Sequence, residues 1–228
     1  MGTAGPIRLA KEHILKDNEH GLFFVFNSDV ICEYPLDKLV TFHKNHGKEG
    51  TIIVTEVQDP SKYGVVVAKE DGLIERFVEK PTVFVSNKIN AGLYLFNTSM
   101  IDRIPLKPTS IEREIFPKMA DEANLYQFTL PGYWMDIGQP KDYLSGQNLY
   151  LKHLEEFSHE HLSKGDNIVG HVWIHSSAKV DPTSQIGPNV AIGANVVIGP
   201  GCRIYDASIL SGTKINGFSL IQGSIIGW

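Results

Sequence analysis

The sequence predicts an α/β fold: a first domain with a mixed, mostly parallel sheet, followed by a β-helix of hexapeptide repeats. Short apolar segments, such as residues 22–26 and 51–57, alternate with stretches of helical periodicity, which is typical of α/β domains. In the last third of the chain, aliphatic residues recur every six positions, a period that neither an α-helix nor a flat strand has. Two domains are therefore expected, at residues 1–160 and 168–228.

The composition limits the class of protein. With 228 residues, 42% hydrophobic and 21% charged, the chain has enough apolar material for a sizeable core. The formal net charge of −5 argues against a protein that follows nucleic-acid phosphates. No apolar stretch reaches the ~18 residues of a membrane span, and Cys32 and Cys202 lack metal-ligand spacing. We therefore expect a cytoplasmic protein with reduced thiols that binds neither nucleic acid nor membrane.

The first apolar segment, residues 22–26, is too short for a helix and predicts a strand buried on both faces. Asn27, Ser28 and Asp29 follow it directly. Ligands of open α/β sheets bind outside the carboxyl ends of the strands, so Asp29 is a candidate carboxylate at the rim of a cleft. For a single aspartate, turn or cap chemistry is the more common role, and only partners elsewhere in the chain favour a site.

Helical periodicity surrounds this strand. A glycine-rich turn at residues 2–6 leads into a helical pattern that extends to Leu15, and a second helix is expected to end at a C-terminal cap on Gly47. His43 and His46 lie three residues apart on that second helix, without the accompanying ligands that a zinc site requires. We therefore expect surface or capping positions for both histidines.

A hairpin leads to the next charged motif. The dipeptide 71–72, Asp-Gly between two apolar segments, is the strongest hairpin signal in the chain. Its second arm runs into Glu79, Lys80 and Pro81. Consecutive residues of a strand face opposite ways, so Glu79 and Lys80 can converge on a ligand only where the strand ends, and Pro81 is expected to hold Lys80 extended. A surface ion pair is the alternative interpretation.

The last part of the first domain contains a second candidate carboxylate. Thr109 and Glu112 have the spacing of a capping box at the start of a helix. Residues 134–138 then repeat the arrangement of the first strand, because Asp136 lies on a short apolar segment beside a glycine. Trp134 is expected to pack beside the site rather than to stack on a base.

A six-residue repeat defines the second domain. It follows a helix that starts at Pro140 and a polar linker at residues 161–167. Each aliphatic side chain is expected to stack on the one a coil below, with room for ~3 coils, and the period fails at Asn216. The aliphatic positions of the repeat are Ile168, Ile174, Val180, Ile186, Ile192, Ile198, Ile204 and Leu210.

Four motifs occur in a fixed order before the repeats: Asn27-Ser28-Asp29, Glu79-Lys80-Pro81, Asn90-Ala91-Gly92 and the segment 134–140. Their order resembles that of the sugar-nucleotide pyrophosphorylases, and the likeness extends through essentially the whole chain. It implies a Rossmann-like nucleotidyltransferase domain followed by a left-handed β-helix. It also implies transfer of a nucleotidyl group from GTP to mannose 1-phosphate, which gives GDP-mannose and pyrophosphate.

The resemblance implies roles for particular residues. Acidic residues at the positions of Asp29 and Asp136 hold Mg²⁺ in this family, and these two together with Lys80 are the implied catalytic residues. Glu79 and Lys80 match residues that contact the sugar hydroxyls and the sugar phosphate. The other implied substrate-binding residues are Gly2, Thr3 and Gly5 in the loop that contacts the base, Gly64 and Asn90 at the sugar, and Asn27.

The sequence also departs from the family. The glycine-rich signature G-x-G-T-R-L does not occur in it, and in the family that loop cradles the triphosphate. We therefore expect the first domain to lack its signature-loop portion and the β-helix to be incomplete at its C-terminus, as in a fragment or an incomplete gene model. The isolated chain is expected to be inactive, and unstable or aggregation-prone because a missing central strand exposes unpaired backbone.

Three other functions compete with guanylyl transfer. A noncatalytic subunit that binds sugar nucleotide and regulates a partner fits the missing signature loop. A hexapeptide-repeat acyltransferase leaves the first domain unexplained, and a nicotinamide-dependent oxidoreductase lacks G-x-G-x-x-G after a strand. A homo-oligomer, or a hetero-oligomer with a regulatory paralogous subunit, is expected from the family resemblance.

Overall fold

The computed structural model describes residues 2–228, apart from the side chain of His159. The chain forms two compact units, Met1–Trp134 and Met135–Trp228. The helices and strands up to their boundary are α1 (Gly5–Leu9), α2 (Lys11–Leu15), β1 (Leu22–Phe26), β2 (Val30–Cys32), α3 (Leu36–His46), β3 (Gly50–Glu56), β4 (Gly64–Ala68), β5 (Ile74–Glu79), β6 (Lys88–Asn97), α4 (Phe116–Asp121), β7 (Leu125–Thr129) and β8 (Trp134–Asp136). A 3₁₀ segment, Thr98–Arg103, and a short π-helical turn, Ile111–Ile115, precede α4.

The first unit is built on a mixed sheet with the strand order β5-β4-β6-β3-β7, and β1 also pairs with β6. The predicted mixed sheet is confirmed, but its mostly parallel character is not. In this sheet, among the described residues, β3 and β7 pair in parallel, whereas β1–β6, β3–β6, β4–β5 and β4–β6 are antiparallel. Apolar runs indicate that strands are buried but carry no information about their direction, which the connections between strands decide.

β1 is the strand on which the prediction of burial on both faces was wrong. Phe23 and Val25 pack against the main core, but Phe24 is 38% exposed and Phe26 is 41% exposed. Within residues 2–228, the strand that pairs with β1 is β6, and the two exposed rings contact each other in a tilted arrangement with their centroids 5.5 Å apart. β1 is thus an edge strand with an apolar outer face, which is the kind of surface that promotes self-association.

The predicted hairpin and the second helix are confirmed. β4 and β5 pair antiparallel, and Gly72 takes the positive φ of +92° that favours glycine. Helix α3 ends at Gly47 with φ +63°, whose N–H donates to the carbonyl of His43. The expectation of surface or capping histidines was wrong, because His43 is only 2% exposed and its ring lies in a hydrogen-bonded network with Thr51.

The start of the next helical segment differs from its predicted cap by one residue. Ser110, rather than Thr109, is the cap: its hydroxyl accepts from the backbone N–H of Arg113. Glu114, rather than Glu112, returns the bond by accepting from the N–H of Ser110 at 2.9 Å. Glu112 therefore does not cap the helix, and its carboxylate accepts from the hydroxyls of Thr3 and Ser110.

The second unit consists of a long helix and a β-solenoid. Its further elements are α5 (Pro140–Phe157), β9 (Val172–Ile174), β10 (Lys179–Val180), β11 (Gln185–Ile186), β12 (Val190–Ile192), β13 (Val197–Ile198), β14 (Arg203–Tyr205), β15 (Ala207–Ile209), β16 (Lys214–Ile215), β17 (Leu220–Gln222) and β18 (Ile225–Ile226). Three parallel ladders, β10-β13-β16, β11-β14-β17 and β9-β12-β15-β18, form its three faces. This is a β-solenoid consistent with a left-handed β-helix, as predicted, and a column of aliphatic side chains fills it.

The solenoid repeat shifts by one residue after Ile204. Ile192 pairs with Ile209, rather than with the predicted Leu210, and Ile198 pairs with Ile215. The cause is a shorter corner at Asp206, where a φ of +47° turns the chain with one residue fewer than the preceding coil uses. The failure of the period at Asn216 is the same shift, since its neighbour Ile215 takes the core position.

Helix α5 is held against the solenoid by Gln147, whose amide donates to the carbonyls of Asn189 at 3.3 Å and Ala207 at 3.1 Å. Leu151 and Leu154 are buried on the same helix. Among residues 2–228, no helix combines the length and the apolar character needed to cross a membrane.

Candidate functional site

Three predicted site residues, Glu79, Gly64 and Asn90, occupy adjacent positions on neighbouring strands of the first unit. Gly64 on β4 pairs with Glu79 on β5. Val65 pairs with Ile89 on β6, so one step further along this antiparallel pair Gly64 lies beside Asn90. Because residues abreast on adjacent strands face the same side of a sheet, the structure brings Glu79 and Asn90 together on either side of a glycine.

Gly64 is required by the space that Glu79 occupies. A Cβ atom at Gly64 would lie 2.8 Å from Oε2 of Glu79 and 2.6 Å from Cζ of Phe77, closer than non-bonded carbon contacts allow. Burial, and next the charge of Glu112, raise the pKa of the Glu79 carboxyl, while the nearby Lys80 and Arg113 oppose this shift. The site therefore holds a partly desolvated carboxylate, which is well suited to accept hydrogen bonds from hydroxyl groups.

Lys80 converges on Glu79 through its backbone conformation. The expectation that Pro81 keeps Lys80 extended was wrong, because Lys80 has a left-handed φ of +48°. β5 ends at Glu79, and the N–H of Lys80 donates to the carbonyl of Tyr63 at 3.1 Å. The positive φ interrupts the alternation of the strand, so the ammonium comes within 3.9 Å of the Glu79 carboxylate and remains exposed.

A bulge in β6 shapes the adjoining part of the site. Ile52 pairs with Tyr94, and Val54 pairs with Asn90. An advance of two residues along β3 therefore corresponds to four residues along β6, so β6 bulges between these two pairs. Gly92 lies in the bulge with φ +79°, and a side chain there would collide with Asn27, whose Nδ2 would lie 2.7 Å from the added Cβ. The N–H of Asn27 donates to the carbonyl of Gly92 at 2.8 Å. Bulges redirect side chains, and this one places Asn27 beside the segment that carries Asn90.

The N-terminal loop is tied to a neighbouring segment through two of its predicted residues. Gly2, with φ +66°, packs so closely that a Cβ would lie 2.2 Å from the carbonyl oxygen of Thr109. The hydroxyl of Thr3 donates to Glu112 at 2.6 Å and accepts from the N–H of Ile111 at 2.9 Å. Gly5 is the first residue of the short helix α1 and lines a mostly apolar cleft of about 230 Å³. Thr3 of this loop thus contacts Glu112, and the charge of Glu112 in turn raises the pKa of Glu79. This connects the loop with the predicted sugar site.

The two predicted metal ligands belong to different units. Asp29 is exposed in the turn between β1 and β2. Asp136 ends β8, is partly buried, and accepts from the N–H of Gly138 at 2.9 Å. Within residues 2–228, no group of three or more His, Cys, Asp or Glu side chains is arranged to hold a metal ion. That Asp29 and Asp136 share one ion stays a prediction.

Sequence reasoning missed the hydrogen bonds of three residues around this site. Glu112 accepts from the hydroxyls of Thr3 and Ser110 instead of capping a helix. Tyr94 is only 2% exposed, and its hydroxyl accepts from Nδ2 of Asn90 at 2.8 Å. Trp134 was recognised as a packing residue, but its Nε1–H also donates to the carbonyl of Ala91 in the bulge. Four-residue spacing between Asn90 and Tyr94 signals no contact on a regular strand, and only the bulge creates it.

Comparison with protein families decides the assignment. The nucleotidyl transferase family model matches residues 1–153, and a model of the GMPPB C-terminal domain matches residues 168–228. The chain belongs to the nucleotidyl transferase family. The resemblance derived from the four motifs and the hexapeptide repeats is thereby confirmed.

Three curated relatives of this chain are named as mannose-1-phosphate guanylyltransferases. The chain is 52% identical over 229 residues to the probable mannose-1-phosphate guanylyltransferase 3 of Oryza sativa subsp. japonica, covering 100% of this chain and 63% of the relative. It is 55% identical to the mannose-1-phosphate guanyltransferase beta-B of Xenopus laevis with the same coverage. It is also 55% identical to the probable mannose-1-phosphate guanylyltransferase 3 of Arabidopsis thaliana, of which it covers 69%. The chain thus spans 63% of the length of the first two relatives and 69% of the third.

Solved structures support the fold of the nucleotidyl transferase family. HddC from Yersinia pseudotuberculosis superposes with a TM-score of 0.52 at 29% identity, over 64% of this chain and 60% of that one. A putative glucose-1-phosphate thymidylyltransferase from Bacillus anthracis superposes with a TM-score of 0.53 at 20% identity, over 64% of this chain and 59% of that one, which supports the fold alone.

Proposed function

We propose that this chain acts in guanylyl transfer, in which GTP and mannose 1-phosphate give GDP-mannose and pyrophosphate. The observation that carries the proposal is the row of Glu79, Gly64 and Asn90 beside Lys80, in a chain that aligns over its whole length with proteins named mannose-1-phosphate guanylyltransferases. A carboxylate, an amide and an ammonium around a glycine suit a ligand that carries both hydroxyl groups and a phosphate.

Each side chain of this row has a distinct task in the proposed reaction. Glu79 accepts hydrogen bonds from sugar hydroxyls, and Asn90 can both donate and accept. Lys80 is exposed enough to reach the sugar phosphate, and its charge reduces the repulsion between two anionic reactants. A phosphate oxygen of mannose 1-phosphate then attacks the α-phosphorus of GTP, the bond to the β-phosphate breaks, and pyrophosphate leaves. Catalysis of this kind consists mainly of alignment and charge neutralisation.

Asp29 and Asp136 are the proposed ligands of Mg²⁺. The donor set fits the ion, because Mg²⁺ is bound by one or two carboxylates and completes its octahedron with waters and substrate phosphates. The bond from the N–H of Gly138 uses one of the acceptor positions of the Asp136 carboxylate and leaves others with capacity for a cation. Bound there, the ion would neutralise charge on the phosphates. The loop that contains Gly2, Thr3 and Gly5 is proposed to contact the guanine base.

Binding of GDP-mannose is the primary test, because G-x-G-T-R-L does not occur in these 228 residues and turnover by this chain alone is expected to be absent. Calorimetry with Mg²⁺ present should detect GDP-mannose binding by the 228-residue chain. Lys80→Met should weaken binding at least tenfold, whereas Lys152→Met, an exposed lysine of α5, should leave it unchanged. Equal affinity of wild type and Lys80→Met would contradict the assignment of the site.

A noncatalytic regulatory subunit is the second candidate function, because the row of Glu79, Gly64 and Asn90 would equally serve to bind a sugar nucleotide without turnover. Both candidates predict GDP-mannose binding, so a pyrophosphate-release assay must separate them. A version of the chain preceded by a G-x-G-T-R-L segment should turn over GTP and mannose 1-phosphate if the enzyme proposal is correct, and Asp136→Ala should abolish that turnover. Binding without turnover by that longer chain would favour the regulatory subunit.

A further inference from the structure

Tyr94 is built into the candidate site in a way that the sequence motifs did not indicate. On a regular strand, residues four apart are separated by about 13 Å. The bulge in β6 instead brings Nδ2 of Asn90 to 2.8 Å from the hydroxyl of Tyr94. The bulge is itself held in place, because the carbonyls of Ala91 and Gly92 accept from Trp134 and Asn27. The contact between Tyr94 and Asn90 is therefore part of a fixed arrangement.

We propose that Tyr94 is a positioning residue that fixes the amide of Asn90 for the sugar moiety of the substrate; this inference rests on the proposed function. Oδ1 of Asn90 accepts from the N–H of Gly92 at 3.0 Å, and Nδ2 donates to Tyr94. Rotating the amide by 180° would set its NH₂ group against the N–H of Gly92, so only one orientation satisfies both partners. One N–H and one lone pair of the amide stay available for a ligand.

The packing of the Tyr94 ring holds its hydroxyl in a fixed position. The ring stacks on Phe96 with centroids 5.6 Å apart and contacts Phe116 at 5.3 Å, inside the main core. Burial, followed by the charges of Glu112 and Glu79, raises the pKa of the phenol, although the bond from Asn90 opposes this. The hydroxyl hence stays neutral at physiological pH and keeps an acceptor for Asn90. A tyrosine that only filled the core would gain nothing from a hydroxyl directed toward these polar side chains.

The test is a double-mutant cycle on the 228-residue chain. Tyr94→Phe keeps the stacked ring and removes the hydroxyl, and it should weaken GDP-mannose binding about fivefold, the effect of one lost hydrogen bond. In the Asn90→Ala background, the same change should have no further effect on affinity, because Tyr94 acts through the amide. Tyr205→Phe, which removes a hydroxyl bonded to Gln222 in the second unit, is the matched control and should bind like wild type.

A second measurement needs no ligand. In ¹H–¹⁵N spectra, the side-chain amide of Asn90 should give a dispersed pair of signals in wild type that moves toward the values of exposed asparagines in Tyr94→Phe. If wild type fails to bind GDP-mannose, the proposed function is wrong and these spectra alone decide the positioning role. Unchanged Asn90 signals in Tyr94→Phe, equal affinities of wild type and Tyr94→Phe, or an undiminished loss in the Asn90→Ala background would each overturn the inference.

Discussion

The buried His43 and the half-buried His46 of α3 should make the first unit sensitive to acid. Every hydrogen of their network can be assigned. The N–H of Lys48 donates to Nδ1 of His46, so His46 carries its proton on Nε2 and donates to Thr51 at 2.8 Å. The hydroxyl of Thr51 then donates to Nδ1 of His43 at 2.7 Å, and Nε2 of His43 donates to Asn97 at 3.0 Å. A neutral pair of rings satisfies every partner, and a proton added to His46 would face the N–H of Lys48.

The loss of stability expected on acidification can be calculated from the pKa of His46. Burial, and then the charges of His43 and Lys48, lower it from 6.5 to about 4, and burial also lowers the pKa of His43. Because the folded pKa lies below the unfolded value, the stabilisation is fully present above pH 6.5 and is lost as the pH falls toward 4. His46 alone accounts for about 3 kcal/mol over this whole window, and for about 2 kcal/mol between pH 7.5 and 5.0.

The assay is guanidinium unfolding of the first unit at both pH values. Trp173→Phe and Trp228→Phe in the background leave Trp134 as the only tryptophan of the chain. In His46→Asn, the amide oxygen can accept the N–H of Lys48, and no group titrates at this position. Its loss of stability between pH 7.5 and 5.0 should be smaller than that of wild type by about 2 kcal/mol.

The comparison of pH responses cancels any general weakening by the mutation and the titration of other groups. His20→Asn, which changes an exposed histidine, should retain the response of wild type. Equal pH responses of wild type and His46→Asn would refute the reasoning, because they would mean that the ring is not held neutral by its surroundings.

Three further predictions test other parts of the molecule. Gly64→Ala should weaken GDP-mannose binding about tenfold, measured by calorimetry, and should also lower the unfolding temperature, because the new methyl group collides with the ring of the buried Phe77 as well as with the end of the Glu79 side chain. Phe24→Lys should reduce self-association in light scattering, since a lysine on an edge strand opposes strand pairing, and Phe218→Lys on the exposed solenoid surface should not. Ser110→Ala should cost about 1 kcal/mol of unfolding free energy, measured by denaturant titration, because the cap to Arg113 is lost.

The repetitive part of the fold was predictable because each residue of a solenoid coil has the same neighbours above and below it. Ile186 pairs with Ile204 as the hexapeptide period requires. The shift after Ile204 was not predictable, since a corner can be turned by a non-glycine residue in the left-handed conformation, and Asp206 does so. A six-residue period holds only while every corner of the solenoid contains the same number of residues.

The candidate site could be predicted as a set of residues but not as an arrangement. A regular strand would direct Glu79 and Lys80 to opposite faces and would keep Asn90 and Tyr94 apart, but neither β5 nor β6 stays regular at the site. A positive φ at Lys80 and the bulge around Gly92 interrupt the alternation of β5 and β6 where these strands reach the site. Such interruptions cost backbone energy that the hydrogen bonds of Lys80 to Tyr63 and of Asn27 to Gly92 offset.

It follows that the site depends on backbone contacts outside its own side chains. The carbonyls that anchor the bulge accept from the indole N–H of Trp134 and from the backbone N–H of Asn27, so replacing the Trp134 side chain should disturb Asn90 without touching it. Side chains on a regular strand are positioned by the sheet itself, but those on an interrupted strand are positioned by whatever holds the interruption. The precision of the Asn90 amide is therefore a property of four contacts: those of its bulge to Asn27 and Trp134, and its own bonds to Gly92 and Tyr94.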